Sequence, residues 1–300
     1  MTEQTISTMA SRNMKDVRKQ QSVSQVISKV LLYLFLGLMA LIVIFPFYWM
    51  LISSVKSVQE YRLSTPTLFP QDFRWSNYLD AFNVGNLGQL FLNTMYVGII
   101  STLLSLVITV LSAFAFARLE FKGKNALFAA LLATMMIPGE LFTITNYATV
   151  NTFGWMRTYT VLIVPFLVSV FYIYLLRQNF LQIPNELYLA AKVDGTSDFK
   201  YLWKVMIPLS LPTLISITIL KMMGAWNSYI WPRLVANDDA HRLITNGLRQ
   251  ISFEDPAMPG MVNYPVQMAA VAVVSLPLFL VFIFLRKYIM KGVSRSGIKG

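Results

Sequence analysis

The sequence predicts an all-α membrane protein of six transmembrane helices, with both termini on the cytoplasmic side. Three observations support this prediction. Of the 300 residues, 56% are hydrophobic and only 13% are charged, whereas soluble domains are typically about one quarter charged. Six apolar segments are long enough to cross a bilayer, which takes about 20 residues. Basic residues also concentrate in alternate connecting segments, as the positive-inside rule describes.

The chain begins with a basic tail and a long apolar segment. Residues 1–29 are polar and basic, and we predict that they form a cytoplasmic tail. The apolar run over 30–53 is too long for the core of a signal peptide. It ends in FPFYWML, whose aromatic residues suit the membrane interface. We therefore predict a retained first helix here.

The next two segments are predicted at 94–117 and 126–148. Before them lies an outer loop over 56–93, whose end, NLGQLFLNT, is interpreted as a short helix on the membrane surface. The third segment is interrupted by Pro138, Gly139 and Glu140. Such a break is tolerated where the freed backbone faces protein or a water-filled cavity. The alternative is that the helix ends near residue 137 and an external loop follows.

The last three segments are predicted at 159–176, 209–231 and 264–285, followed by a cytoplasmic tail over 286–300. The transmembrane domain thus covers 30–285. If the N-terminus is inside, the two tails and the loops 118–124 and 177–204 hold 17 of the 25 Lys and Arg residues, against seven outside. Positive charge belongs inside, so this asymmetry predicts that both termini are cytoplasmic.

Composition excludes several kinds of function. The chain has no cysteine and only one histidine, His241, so thiolate sites, cysteine nucleophiles and multi-histidine metal sites are excluded. The net charge is +11, but the basic residues flank apolar segments, which points to a membrane rather than nucleic acid. Acidic residues cluster with His241 in an outer loop, and a solvated surface explains them better than a metal site or a glycosidase pair.

The segment 177–208, called the coupling loop below, lies between two apolar segments. Pro184 suits a helix start, Glu186 favours the N-terminal end of the helix dipole, and Gly195 is suited to end the helix. Thr196 or Ser197 can cap the next helix. Helical spacing puts four residues on one face, where the alanines permit close approach: Leu187, Ala190, Ala191 and Asp194.

The stretch IPNELYLAAKVDGTSDFKYLWKVMIPLSLP resembles the EAA loop of permease subunits in binding-protein-dependent ABC importers. The family pattern is IP-x-EL-x-EAA-x-[IV]DG, and this chain departs from it at Leu189, where the family has glutamate. Three further stretches and the terminal KGVSRSGIKG are similar to the maltose-type carbohydrate subfamily, which includes raffinose and multiple-sugar permeases of Gram-positive bacteria: FPFYWMLISSVKS, NTMYVGIISTLLSLVITVLSAFAFAR and AWNSYIWP.

The resemblance implies a type I ABC importer permease fold and a multi-pass protein of the bacterial cell membrane. It implies that this chain forms half of the pathway for a carbohydrate, possible substrates being raffinose-like oligosaccharides. The implied partners are a second permease chain, two ATPase subunits and an extracellular sugar-binding protein. The coupling residues implied on this chain are Glu186, Leu187, Ala190, Ala191, Asp194 and Gly195.

No G-x-x-x-x-G-K-[ST] loop for phosphate occurs in the sequence. We therefore expect that this chain is not an enzyme and holds no cofactor, and that a partner ATPase binds ATP and magnesium. Two alternatives come from other classes. A secondary transporter for a small polar solute would need its own driving-ion site, and a membrane enzyme would need an intramembrane acid–base or metal constellation.

Substrate-pathway residues are predicted in the third and fifth segments. Lys221 lies in the middle of an apolar segment and should face protein or water. It either lines the pathway, with Glu140 as a possible partner, or makes a structural pair with another subunit or snorkels. Trp231 is interpreted as an interfacial aromatic. Aromatic and amide side chains suited to sugar follow as further candidates: Trp226, Asn227, Tyr229, Asn146 and Tyr147.

Overall fold

The computed structural model describes the backbone of residues 3–294 and the side chains of residues 25–286. The described chain is mostly helical, as the sequence predicts, with one two-stranded antiparallel hairpin. The helices are α1 Glu3–Ser54, α2 Val58–Tyr61, α3 Ser76–Val84, α4 Leu87–Arg118, α5 Lys124–Thr134, α6 Thr143–Thr152, α7 Tyr159–Ile163, α8 Val170–Leu181, α9 Asn185–Val193, α10 Asp198–Tyr201, α11 Ile207–Leu209, α12 Leu211–Asn227, α13 Ile230–Val235, α14 Ile244–Gln250 and α15 Tyr264–Ser294; the strands are β1 Glu254–Asp255 and β2 Met258–Val262.

Three helical stretches are each long and apolar enough to cross a membrane, namely Gln25–Ser54 of α1, all of α4, and Tyr264–Arg286 of α15. Three further candidates are bent pairs, with breaks of 83° after α5, 46° before α8 and 80° before α12. Every predicted apolar segment overlaps one of these six, although the fifth, predicted at 209–231, runs past the end of α12 at Asn227. The described helices thus provide three spans, or up to six if each bent pair crosses once. The six-helix count and the orientation stay predictions.

Proline explains two of the three bends. The break after α5 contains Pro138, followed by a 3-10 turn over Gly139–Phe142. The break before α12 lies at Ser210, between Pro208 and Pro212. Proline lacks a backbone N–H and cannot continue the preceding hydrogen-bond ladder. The interruption predicted in the third segment is therefore present as a sharp bend.

The start of α4 corrects one expectation. NLGQLFLNT is not a separate surface helix, because α4 runs without interruption from Leu87 to Arg118. Asn86, just before it, has φ +47°, a left-handed conformation that asparagine tolerates better than most residues. Leu87 and Leu90 are buried against α14 and α15, and this packing keeps the first turns of α4 attached to the protein.

Two of the four apolar clusters among the described residues join α4 and α12 to their neighbours. One contains Leu87, Trp226, Ile244 and Val266 and joins α4, α12, α14 and α15. The other contains Phe114, Phe180, Tyr201 and Ile217 and joins α4, α8, α10 and α12. Since α4 and α12 contribute to both clusters, these two helices connect the coupling loop to the opposite end of the molecule.

The predicted tails are largely continuous with the terminal helices. The backbone of α1 is helical from Glu3 and that of α15 to Ser294. The basic side chains of residues 1–24 and 287–300, on which part of the charge argument rests, lie outside the described side chains. The domain division 1–29, 30–285 and 286–300 stays a prediction.

Candidate functional site: a coupling loop and a central cavity

The coupling loop contains a short helix, α9, with a well-formed end. Gly195 has φ +68°, the left-handed conformation suited to glycine after a helix. The N–H of Thr196 donates to the carbonyl of Ala191 at 2.8 Å, and that of Gly195 donates to Lys192 at 3.1 Å. This pair of bonds forms a Schellman closure. Gly195 therefore ends α9 in the way the sequence predicts.

Side chains fasten α9 to the helix that follows. Ser197 caps α10 by accepting a bond from the N–H of Lys200 at 3.4 Å. The hydroxyl of Tyr188 donates to Asp198 at 2.6 Å, and the ammonium of Lys192 lies 2.7 Å from the same carboxylate. The bond to Asp198 raises the pKa of Lys192. Burial, followed by the bond to Asp198, raises the pKa of Tyr188.

Arg118 anchors the loop to the membrane helices. Its guanidinium donates to the carbonyls of Phe180 at 3.0 Å and Ile183 at 2.6 Å, and to the side-chain oxygen of Asn185 at 3.2 Å. Arg118 is buried and lies at the end of α4. From the sequence Arg118 is only one basic residue of a cytoplasmic loop, because its partners are more than 60 positions away and no local spacing reveals them.

The predicted common face of α9 is divided in the structure. Leu187, Ala190 and Asp194 are exposed together with Glu186, but Ala191 turns inward beside Tyr188 and packs on the second cluster. Two exposed apolar residues were not predicted there, Leu189 at 56% and Val193 at 88% exposure. We define the outer face of α9 as Leu187, Leu189, Ala190 and Val193. It presents small and apolar side chains to the surroundings.

A cavity of about 350 Å³ lies between α4, α8, α12 and α13, and we call it the central cavity. Most of its lining is apolar and includes the aromatic rings of Phe166 and Trp231, and its polar lining residues are Ser101, Ser169, Tyr172, Ser228 and Lys221. Lys221 lines this space, and its ammonium donates to the carbonyl of Phe166 at 2.5 Å. The arrangement offers hydroxyl groups, aromatic rings and one cation to a polar ligand.

Trp231 also lines the cavity, although its place near the outer end of the fifth segment predicted an interfacial aromatic. It is buried, its indole N–H donates to the carbonyl of Val161 at 2.9 Å, and Phe166 lies edge-on to its ring. Because α12 ends at Asn227 and α13 starts at Ile230, the chain turns and directs Trp231 inward. The helix break at Ser228 could not be read from the pattern AWNSYIWP.

Other predicted pathway residues lie elsewhere. Trp226 is buried in the first cluster, where its indole donates to the carbonyl of Val274 at 3.2 Å. Asn227 is exposed and donates back to the carbonyl of Met223 at 2.9 Å. Tyr229 accepts a hydrogen bond from Arg233, and the guanidinium of Arg249 lies 4.4 Å from its ring. None of these three lines the central cavity among its described walls.

The third segment also departs from the predicted pathway. Glu140 is exposed in the 3-10 turn, and within residues 25–286 it makes no ion pair with Lys221. The proposed pairing is corrected, because Lys221 bonds to the Phe166 carbonyl instead. Asn146 and Tyr147 lie exposed on α6 and do not line the described cavity.

Three acidic residues of the α13–α15 connection lie within ion-pair distance of basic side chains, two of them locally and Asp255 with the distant Arg62. His241 lies 2.7 Å from Asp238, Arg242 lies 3.0 Å from Asp239, and Asp255 lies 3.6 Å from Arg62. In the part of the chain that the structure describes, no group of three or more metal-ligating side chains occurs. These side chains form a paired polar surface.

The described helices surround a cavity with apolar walls and a few polar groups and carry a loop fastened at one end, an arrangement suited to a membrane transport protein. The family described as binding-protein-dependent transport system inner membrane component matches residues 105–295, and the chain belongs to this family. It is similar to the sn-glycerol-3-phosphate permease protein UgpE of Rhizobium meliloti, with 32% identity over 89% of this chain and 96% of that one. The arabinooligosaccharides permease protein AraQ of Bacillus subtilis is 28% identical over 91% and 96%.

The fold also matches a solved structure. A chain of a bacterial ABC transporter for import of the acidic polysaccharide alginate superimposes with a TM-score of 0.81, at 22% identity, over 88% of this chain and 97% of that one. The fold is therefore that of an ABC importer permease, and the chain is a multi-pass membrane protein.

Proposed function

We propose that this chain is one permease subunit of an ATP-driven importer of carbohydrate, forming half of the pathway and coupling to a separate ATPase. The observation that supports this most is the outer face of α9. Val193 is 88% exposed and Leu189 is 56% exposed, although α9 is held on its other side by Tyr188 and Arg118. A rigidly placed helix with an exposed apolar face is suited to dock in a groove of another protein.

Rigid connections allow such a docked helix to transmit movement. Arg118 fixes the start of α9 to the end of α4, and Asp198 ties α9 to α10, which leads through the 80° bend into α12. Both α4 and α12 line the central cavity. A displacement of α9 by a motor subunit would therefore reach the cavity walls through hydrogen bonds and packed helices.

Carbohydrate is the proposed cargo. Sugars are held by aromatic faces and by fixed hydrogen-bonding groups, and the cavity provides Trp231 and Phe166 beside hydroxyls from Ser101, Ser169 and Tyr172. The named cargo of one relative is a set of arabinooligosaccharides and that of another is a glycerol phosphate. Raffinose-like oligosaccharides belong to the proposed class and form a first set to test.

The remaining subunits follow from this proposal. The family is defined by dependence on a binding protein, and we infer an extracellular sugar-binding protein, a second permease and two ATPase subunits as partners. The sequence contains no phosphate-binding loop. We therefore assign ATP and magnesium binding to the ATPase subunits and no covalent chemistry to this chain.

Reconstitution tests the proposal. The complete importer is placed in proteoliposomes with its binding protein outside and ATP inside, and uptake of radiolabelled oligosaccharides is measured. We expect uptake only with hydrolysable ATP and with the binding protein present. This chain purified alone should show no ATPase activity above background. Uptake that follows an ion gradient without ATP would instead establish a secondary transporter.

A further inference from the structure

Lys221 is the one charged side chain that lines the central cavity among its described walls. The other polar wall groups are neutral hydroxyls, and no aspartate or glutamate contributes to the lining. Lys221 forms no ion pair within residues 25–286. Its positive charge therefore meets no opposite charge on the described chain, although the residue lies in the middle of a membrane helix.

The bond to the Phe166 carbonyl does not account for the charge. An ammonium group has three donor hydrogens, and this bond uses one of them. A neutral donor such as glutamine could bond the same carbonyl without placing a cation at membrane depth. Ionisable residues inside the membrane are costly, and they commonly mark substrate or ion pathways. An opposite charge supplied during transport explains why a lysine is present.

We infer that Lys221 recognises an anionic group, a carboxylate or a phosphate, on the transported sugar. This inference rests on the proposed function and adds the charge of the substrate to it. Both groups are oxyanions that form charge-assisted hydrogen bonds with an ammonium. Trp231 lines the same cavity with its indole N–H already bonded to the carbonyl of Val161, so its ring is held in the cavity wall. The cavity of about 350 Å³ has the size of a small ligand pocket.

The competing explanation is a carboxylate on the second permease. In that case the assembled importer would neutralise Lys221 itself and would carry uncharged sugars. The two explanations differ in the charge of the substrate, which can be measured directly.

The experiment uses the complete importer in proteoliposomes with ATP inside. Uptake is measured for a panel of neutral, uronate-containing and phosphorylated oligosaccharides, including the matched pairs galactobiose with digalacturonate and trehalose with trehalose 6-phosphate. The variants are Lys221→Met, which removes the charge at similar length, and Lys221→Arg, which keeps it. Lys122→Met serves as the control, because Lys122 is exposed outside the cavity.

We expect ATP-dependent uptake of acidic members of the panel and not of their neutral counterparts, with the uronate and phosphate arms identifying which anion is carried. Lys221→Met should lower uptake of the acidic substrate by about tenfold or more, as loss of a charge-assisted bond implies, and Lys221→Arg should retain most of it. Uptake of neutral sugars only, or unchanged acidic uptake by Lys221→Met, would overturn the inference. If no sugar of either charge is taken up with ATP, the proposed function itself fails.

Discussion

Arg118, the last residue of α4, donates a 2.6 Å hydrogen bond to the backbone carbonyl of Ile183, two residues before α9. The same guanidinium group reaches the carbonyl of Phe180 at the end of α8. One buried side chain thus links the end of α4, the end of α8 and the start of α9.

Substitution of Arg118 should uncouple the loop. Arg118→Ala removes charge-assisted bonds worth about 1.5–3 kcal/mol each and leaves two carbonyl groups without this partner. We expect ATP-driven uptake to fall about tenfold while the protein still inserts in the membrane. Arg118→Lys should be intermediate, because lysine lacks the planar fork of donors. Membrane level, co-purification of the ATPase and uptake are measured, with Lys122→Ala as the exposed control; unchanged uptake by Arg118→Ala would contradict this assignment.

The end of α9 should depend on backbone conformation at Gly195. A Cβ at this position would meet no atom within 4 Å, so any penalty comes from φ +68° and not from a clash. A non-glycine residue in this region costs about 1–2 kcal/mol, and β-branched residues suffer most. Gly195→Val should therefore impair uptake more than Gly195→Asn.

A matched control for this test is Gly88→Val. Gly88 is exposed, has equally open surroundings, and does not have the left-handed backbone of Gly195. Uptake is compared at equal membrane level for all three variants. Equal uptake by Gly195→Val and Gly195→Asn would show that the left-handed closure does not matter for coupling.

Local features of this protein were predictable from sequence, and features that depend on distant residues were not. Gly195 follows a short amphipathic stretch, and its helix-ending role depends on neighbours within five positions. The apolar segments were found because bilayer thickness sets a minimum length. Their ends were less accurate, since α4 begins at Leu87 rather than near residue 94 through packing on α14 and α15.

The pathway residues show the same limit. The motif AWNSYIWP contains several side chains suited to sugar, but the helix ends after Asn227 and the chain turns. Trp226 consequently packs into the core while Trp231 faces the cavity. Lys221 was identifiable because a charge within an apolar segment is unusual in itself. Its partner, a backbone carbonyl 55 positions earlier, could not be inferred.

The contacts of Tyr188 and Lys192 on α9 with Asp198 on α10, called the brace below, should persist over a wide pH range. The pKa values of Lys192 and Tyr188 are both raised above their ordinary values of 10.5 and 10.0. A raised pKa means that the folded loop favours the protonated form. The stabilisation from each group is therefore present below its ordinary pKa and is lost as pH rises through its raised pKa. Between about pH 6 and pH 9 both groups keep their protons, and ATPase co-purification should not change.

Substitution, unlike a change of pH between about 6 and 9, should show whether the brace is needed for uptake. Tyr188→Phe removes the 2.6 Å bond to Asp198 and keeps the ring, which packs on the second cluster. We expect uptake to fall severalfold, because a neutral-to-charged hydrogen bond is worth about 1.5–3 kcal/mol. Full uptake by both Tyr188→Phe and Asp198→Asn would contradict a role for the brace. Tyr264→Phe, on α15 away from the loop, is the matched control.

Orientation can be measured with single cysteines, because the chain contains none. Asp239 lies in the α13–α14 connection with its side chain 95% exposed, and Val193 lies on the coupling loop with 88% exposure. A membrane-impermeant maleimide should label Asp239→Cys in intact cells and Val193→Cys only after the membrane is opened. The basic asymmetry supports this orientation. Labelling of Val193→Cys from outside would contradict it.

The outer face of α9 provides the most direct test of docking to a motor subunit. Val193 is so exposed that the fold gains little from it, and replacing it should leave the stability of this chain almost unchanged. Val193→Asp should nevertheless weaken co-purification of the ATPase, because a buried, unpaired carboxylate in an interface is costly.

Ala190→Trp should act in the same direction by adding bulk to an exposed position on the same face. Leu189→Glu, which restores the residue of the family pattern, should be tolerated if that position borders the groove. Membrane level, thermal stability, ATPase co-purification and uptake are measured for each variant, with Asp239→Ala as the exposed control at the other end of the molecule. Normal co-purification with both Val193→Asp and Ala190→Trp would show that the motor docks elsewhere.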